Sequence, residues 1–236
     1  MASKRYTGKQ CVYCGLRSDS VDHVLARQFF LPEHRAHLPA VPACTRCNEL
    51  KSTLEHYAVT VLPMAGQNAA SLEAVRTKGL RRLQKNQALQ RQIFESAERI
   101  WWRRRGSATH SIAFTLDWGR IEALFALITR GLMAFHFDTI LSGEDSVLVR
   151  PLDHQSELEW ESDLFLANEV HTHTDDWGEG TFAYRRMQAA DQPHASAWVF
   201  SMYGGVVLLG QTPSGPGAAT SIGVLTSPPG SKSDGA

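Results

Sequence analysis

Four cysteines form two identical pairs near the start of this chain, and their spacing is typical of a metal site. The pairs are Cys11-x2-Cys14 and Cys44-x2-Cys47, and the sequence has no other cysteine. Two such pairs can supply four thiolates to one tetrahedral zinc ion. The spacing therefore predicts a structural zinc that holds together a segment too short to form its own core.

Three polar residues that suit phosphodiester chemistry lie close to these cysteines. Asp22 and His23 lie between the two pairs, and Asn48 follows the last cysteine directly. An imidazole with an ordinary pKa of about 6.5 can take a proton from water near neutral pH. Side-chain oxygens are ligands for hard divalent cations. Neighbouring side chains on a strand point to opposite faces, so Asp22 and His23 are expected to have different tasks.

The segment at 11–57 resembles the HNH endonucleases, the zinc-knuckle members of the ββα-metal nuclease group. It has that family's order: a knuckle, Asp-His on a strand, a loop, a second strand, a second knuckle, Asn at a helix start and then Lys. The resemblance implies that His23 is the general base and that Asp22 and Asn48 hold a catalytic Mg²⁺ or another divalent metal. It also implies that the zinc is structural and that DNA is the substrate.

The middle position of the family's motif differs in this chain. The family usually has an Asn there, just before the second strand, which orients the catalytic histidine. Counting back from Cys44 places His37 in that position, with His34 as its competitor. His37 is therefore the expected orienting residue. The difference leaves three options open: a functional substitution, a weakened enzyme or a misaligned loop.

Four further residues are candidates for substrate or metal contacts. Arg27, Arg46 and Lys51 are expected to form a basic rim that binds phosphate groups. His56 lies eight residues after Asn48, a little over two helical turns, and is expected on roughly the same helix face. It is a candidate for an additional metal or phosphate contact.

Short elements are expected to position these residues. The sequence predicts strands at 21–24 and 38–41, followed by a helix from Thr45 toward Leu62 that Pro63 ends. The predicted HNH module spans 11–63, after a flexible leader at 1–10.

The rest of the chain divides by charge. Residues 1–105 contain 18 Lys and Arg against 8 Asp and Glu, and residues 106–236 contain 6 against 16, so charges of +10 and −10 cancel. Only the basic part is expected to face DNA. It includes a basic helical connector at 64–106, whose end reads Trp101-Trp102-Arg103-Arg104-Arg105.

The predicted fold class is α+β. A zinc-stabilised ββα-metal module and the basic helical segment precede a separate acidic α+β domain of unknown role at 107–210. Strands are expected at 111–116, 146–152, 181–187 and 195–209, a helix at 118–138, and a flexible tail rich in Gly, Pro and Ser at 211–236. No segment suits a membrane span and the first residues lack a secretory pattern, so a cytoplasmic protein is predicted.

Two other functions remain compatible with this sequence. One is a catalytically silent zinc-knuckle module that binds nucleic acid, with His37 marking decay of the site. The other is a zinc-stabilised protein-interaction domain whose acidic half forms a homodimer or binds a protein partner. The joint presence of Asp22, His23 and Asn48 favours a metal-dependent endonuclease.

Overall fold

The computed structural model describes residues 6–104, 107–168, 171–205, 208–212 and 215–230, and the architecture is mixed α+β. Two short strands, β1 (Ser20–His23) and β2 (Ala40–Ala43), form an antiparallel pair, and α1 (Thr45–Val61) follows β2 almost directly. The two predicted strands are confirmed, with ends displaced by one or two residues. The predicted helix is also confirmed, and it passes into a 3₁₀ turn that contains Pro63.

Residues 6–10 are not a separate leader, because they pair with the segment that follows the first cysteine pair. Gly8 N–H donates to the Ser18 carbonyl at 2.8 Å, and Gln10 forms a bridge with Arg17. The predicted leader therefore extends too far. Residues 1–5 lie outside the described part of the chain.

The basic segment is helical only as far as residue 95. It contains α2 (Ala69–Ala74), wider π-type turns at Val75–Gly79, α3 (Leu80–Lys85) and α4 (Gln87–Glu95). The helical prediction is wrong for the tryptophan-rich end, which forms β3 (Glu98–Arg104) and pairs with β4 (Ser107–Ala113). The run Ile100-Trp101-Trp102 favours a strand, since aromatic and β-branched side chains suit a pleated surface. Arg105 lies outside the described residues.

The acidic half forms an antiparallel sheet with helices against it. Its elements are α5 (Trp118–Phe137), β5 (Ser146–Asp153), α6 (His154–Trp160), π-type turns at Glu161–Leu166, β6 (His173–Trp177), β7 (Phe182–Gln188), β8 (Ser196–Met202), β9 (Leu208–Thr212) and β10 (Gly215–Ser227). The strand order is β5-β10-β8-β7-β6, and β9 pairs with β10. No helix among the described residues combines the length and apolarity that crossing a membrane requires.

The flexible tail predicted at 211–236 is wrong for 215–227, because β10 lies between β5 and β8. Gly223 shows why composition misleads here. A Cβ at this position would lie 2.7 Å from the Trp160 ring, so glycine permits close packing rather than flexibility. Residues 231–236 lie outside the described part.

One apolar core joins the N-terminal module to the acidic half. Val24 and Phe29 from the module belong to the same buried cluster as Phe125 and Phe182. The Tyr203 hydroxyl, from the acidic half, donates to the Phe29 carbonyl at 3.0 Å. The larger core is therefore shared, and a smaller buried cluster that includes Leu152, Trp160 and Phe165 belongs to the acidic half alone. Because α5 packs against both α1 and the sheet, the strands and helices of the acidic half support α1 from behind.

Gly131 allows α5 to approach the module closely, which generates a stability prediction. A Cβ at Gly131 would lie 2.8 Å from Val24 Cγ1 and 3.1 Å from the Tyr13 hydroxyl. Val24 is stiff and fully buried, so we expect Gly131→Ala to lower the free energy of unfolding by about 1–2 kcal/mol through overpacking. Urea denaturation followed by circular dichroism measures this.

The same substitution at Gly119, in the same helix, is the matched control. A Cβ there meets its nearest neighbour, Asp117 Oδ1, at an ordinary 3.6 Å. Helix propensity then makes Gly119→Ala neutral or stabilising by up to about 1 kcal/mol. Equal stability of the two variants would contradict close packing at Gly131.

Candidate metal centre and the adjoining cleft

The four cysteine sulfurs form one cluster. They all lie within 4.8 Å of one another, and Cys14 Sγ is 3.7 Å from Cys44 Sγ. Sulfurs bound at about 2.3 Å to one tetrahedral zinc stand about 3.8 Å apart. The cluster therefore has the ligands and approximate spacing of a four-coordinate metal site. Within the described residues it is the one group of this kind.

Local backbone geometry brings the two cysteine pairs together. The first pair lies in a tight turn in which Gly15 N–H donates to the Cys11 carbonyl at 2.9 Å, with Gly15 at φ +75°. The second pair begins at Cys44, the residue that precedes α1. Asp19 accepts a hydrogen bond from Thr45 N–H at 2.7 Å, which fixes the start of α1 beside β1. Thr45 is thus the first helical residue, and a carboxylate from outside the helix caps it.

The thiols need a cation to ionise together. Burial raises the pKa of the Cys47 thiol well above its usual range, and the neighbouring Cys44 and Cys14 thiols raise it further. Thiolates are the metal-binding form, and a bound metal compensates their mutual repulsion. The closeness of the four sulfurs is therefore chemically consistent with a metal site.

A cleft of about 230 Å³ lies beside this cluster, between β1 and α1. Five of the residues that the sequence singled out line it, together with apolar and polar neighbours. The lining residues are Val21, Asp22, His23, Ala26, Arg27, Gln28, Asn48, Ser52, Glu55, His56 and Val59. The fold therefore brings the Asp-His dipeptide, Asn48 and two of the candidate contacts to one place.

His23 and Asn48 offer complementary groups to this cleft. Burial lowers the pKa of His23, and the positive charge of Arg27 lowers it further, although Asp22 opposes this shift. The imidazole is therefore neutral at neutral pH and can accept a proton. The Asn48 side-chain nitrogen donates to the Val21 carbonyl at 3.3 Å. Its oxygen is consequently the atom that it can offer to a cation.

Lys51 is fully buried behind the cleft and binds three acceptors. Its ammonium lies 3.0 Å from Asp22 Oδ2, donates to the His23 carbonyl at 3.0 Å and pairs with Glu55. Tyr13 donates its hydroxyl to the same Asp22 oxygen. An ammonium has three N–H donors, so these acceptors satisfy all of them. One ammonium against two carboxylates leaves the group with a formal charge of −1.

The structure corrects the predicted phosphate contact of Lys51 and places Arg46 outside the cleft. Lys51 has a relative exposure of 0%, and its donors are taken, so it is not available to a phosphate. Arg46 is exposed but does not line the cleft. Arg27 is the one member of the predicted basic rim that does, and its side chain is exposed there.

The structure does not bring His37 to the cleft. His37 is exposed, with φ 62°, in the turn that leads into β2. The left-handed conformation reverses the chain at this point, and neither His37 nor its competitor His34 lines the cleft. His56 does line it, as an exposed side chain of α1. The orienting role predicted for His37 therefore has no geometric support.

Sequence reasoning missed Tyr13 and Glu55. Glu55 follows Lys51 by four residues, and this (i, i+4) spacing in a predicted helix was an available signal. Burial raises the pKa of Glu55, which Lys51 opposes. Tyr13 lies inside the first cysteine pair, and its sequence position gives no sign of a bond to Asp22. The bond between Tyr13 and Asp22 depends on how the turn with the first cysteine pair packs against β1.

The chain was also compared with known proteins. No protein-family model, curated protein or solved structure matches it. The interpretation of the cleft therefore depends on its residues and their geometry.

The Lys51 contacts predict a large effect of removing the ammonium. Lys51→Met keeps most of the side-chain volume but leaves Asp22 and Glu55 buried without a cation. We expect the free energy of unfolding to fall by about 3–5 kcal/mol, as for other buried pairs that lose one partner. Chemical denaturation measures this. Arg46→Met, on an exposed position of the same helix, is the control and should change stability by less than about 0.5 kcal/mol.

Proposed function

We propose that this protein is a metal-dependent endonuclease of the HNH type that hydrolyses phosphodiester bonds in DNA, with a structural zinc on its four cysteines. The observation that carries the proposal is the shared cleft. Asp22, His23 and Asn48 line it together, beside the sulfur cluster. These are the positions that the HNH resemblance implies for catalysis, and a common cleft is what such a reaction requires.

The proposed roles follow from the atoms that each side chain has available. His23 takes the proton from the attacking water, since its imidazole is neutral at neutral pH. Lys51 and Tyr13 occupy Asp22 Oδ2, so Asp22 Oδ1 and the Asn48 side-chain oxygen are the proposed ligands of a divalent cation. When bound, Mg²⁺ or a similar ion would polarise the scissile phosphate and neutralise charge on the leaving oxygen.

Charge in the cleft supports a cation near these oxygens. The group of Asp22, Glu55 and Lys51 carries a formal −1 at the back of the cleft. His56 lies on the same cleft and provides a further nitrogen for a metal or phosphate contact. Arg27, exposed at its edge, is the proposed contact for a phosphate group of the substrate.

One observation favours the alternative of a catalytically silent module that binds nucleic acid. Asp22 is 5% exposed, and its carboxylate is already paired with Lys51. A cation must share this carboxylate with an ammonium, which weakens the electrostatic attraction. If the attraction is too weak, the cleft binds DNA without cutting it.

A plasmid-nicking assay distinguishes these two functions. We expect the wild-type protein to nick supercoiled DNA with Mg²⁺ or Mn²⁺ and to stop when EDTA is added. His23→Ala should lower the nicking rate by about 10²–10⁴-fold, the usual contribution of a general base. Gel electrophoresis of the plasmid measures the rate.

His37→Asn is the matched control for this assay. It places the residue usual in the family on an exposed position outside the cleft, and Asn tolerates the left-handed backbone there. The rate should therefore stay close to that of the wild type. Nicking that His23→Ala leaves unchanged excludes His23 as the base, and binding without nicking under any divalent metal supports the silent module.

The zinc proposal generates a separate prediction. We expect one zinc per chain by elemental analysis, and Cys44→Ser should abolish it and lower the thermal midpoint, since metal binding contributes directly to folding. Arg46→Ala changes an exposed residue between Cys44 and Cys47 and should retain the metal. A wild-type protein that binds no zinc when refolded with it would contradict the assignment.

A further inference from the structure

Three cations lie close to the cleft: Arg35 in the loop between β1 and β2, and Lys78 and Arg82 in the helical segment that follows the ββα module. Arg82, in α3, donates to the Val59 carbonyl at 2.9 Å and to the Gln28 side chain. Val59 and Gln28 both line the cleft. The Arg82 guanidinium therefore lies at the edge of the cleft. Arg35 is close enough to lower the pKa of Arg82, and both arginines are close enough to lower the pKa of Lys78.

We call these three residues the Arg35–Lys78–Arg82 group, and no carboxylate of the described residues pairs with them. The Arg35 guanidinium binds a carbonyl, that of Phe30, at 3.0–3.1 Å. Burial lowers the pKa of Lys78, and the charges of Arg35 and Arg82 lower it further.

The arrangement is electrostatically unfavourable without a ligand. All three side chains are half-buried, so water screens their repulsion less than at a fully exposed site. The Arg35 and Arg82 contacts to carbonyl groups orient two guanidiniums without neutralising them. Two other half-buried arginines, Arg185 and Arg186, pair with carboxylates, whereas Arg150 lies over the Trp160 ring. An anionic ligand would relieve the repulsion among the three cations.

We propose that the Arg35–Lys78–Arg82 group binds the phosphate backbone of duplex DNA where the duplex leaves the cleft. The inference rests on the proposed function in one respect, since it takes DNA as the molecule that occupies the cleft. Exposed Arg27 lines the cleft next to Gln28, and Arg82 binds Gln28. The cations are thus connected to the cleft through neighbouring residues. Three neighbouring cations beside a cleft that holds DNA can contact the phosphates that follow along the same strand.

This surface is expected to contribute affinity rather than sequence recognition. Cations that contact phosphates position a duplex but carry no base information, and each contact makes binding depend on salt. Loss of one contact should therefore weaken binding to different sequences uniformly and lower the slope of log affinity against log salt by about 1.

Lys78→Glu is the most informative variant. Lys78 has no described structural hydrogen bond, whereas replacing Arg35 or Arg82 would also remove contacts to carbonyl groups. Binding is measured by fluorescence anisotropy with a labelled DNA duplex in EDTA, so that no cleavage occurs. We expect affinity about tenfold weaker than that of the wild type at moderate salt, with a lower salt slope.

Arg91→Glu is the matched control, because it makes the same change in net charge on an exposed position of α4. It should stay within about twofold of the wild type. Thermal midpoints and zinc content of both variants are measured to exclude misfolding. Lys78→Glu binding as tightly as Arg91→Glu overturns the proposal, whether both bind like the wild type or both are equally weakened.

The nicking assay separates this proposal from the proposed function. Weak binding by Lys78→Glu with no nicking by the wild type supports the phosphate-binding surface and rejects the endonuclease. Nicking that requires His23, combined with unchanged binding by Lys78→Glu, supports the endonuclease and rejects the surface. A wild-type protein that neither binds nor cuts duplex DNA rejects both.

Discussion

The buried ammonium of Lys51 is the interaction on which the candidate site depends. It joins Asp22 and His23 on β1 to Glu55 on α1, and it satisfies its three donors in doing so. Moving an ammonium out of water costs several kcal/mol, and the two carboxylates and the carbonyl offset that cost. The lysine binds the backbone carbonyl of His23 itself, so it fixes the position of β1 along α1. This relative position of the two elements defines the cleft.

The buried charges of Lys51, Asp22 and Glu55 are better explained by the single arrangement of β1 and α1 that they select than by a gain in folding free energy. Apolar replacements of a whole buried ion pair are often neutral or stabilising, whereas loss of one partner is not. The group therefore does not need to be charged for the fold to form. It does require a single register of β1 against α1, since a shift by one residue would turn Asp22 away from Lys51. We infer that this register, and with it the position of His23, is what the charged group secures.

Sequence reasoning succeeded where local spacing determines structure. The cysteine spacing, the two short strands and α1 depend on contacts within about 50 residues, and the structure has the elements in the predicted order. It failed where distant contacts decide. The composition around Gly223 predicts a flexible tail, but in the structure Trp160 packs against this glycine. The sequence predicts Lys51 as a solvent-exposed phosphate contact, but in the structure Asp22 and Glu55 pair with it. The register of β10 and the burial of Lys51 depend on tertiary packing that spacing does not encode.

The shared core joins the small cysteine-rich module to the larger acidic half. A segment the size of the module buries too little apolar surface to be rigid without metal. Here α5 packs against α1 and, at Gly131, approaches Val24, the residue after His23. The Tyr57 hydroxyl of α1 also accepts a hydrogen bond from Asp117 N–H, at the start of α5, at 2.7 Å. The candidate site is therefore held from two sides, by the four-cysteine cluster at one end of α1 and by the acidic half at the other. Rigid support from both ends is what a catalytic constellation requires, because small displacements of a base from its water cost large factors in rate.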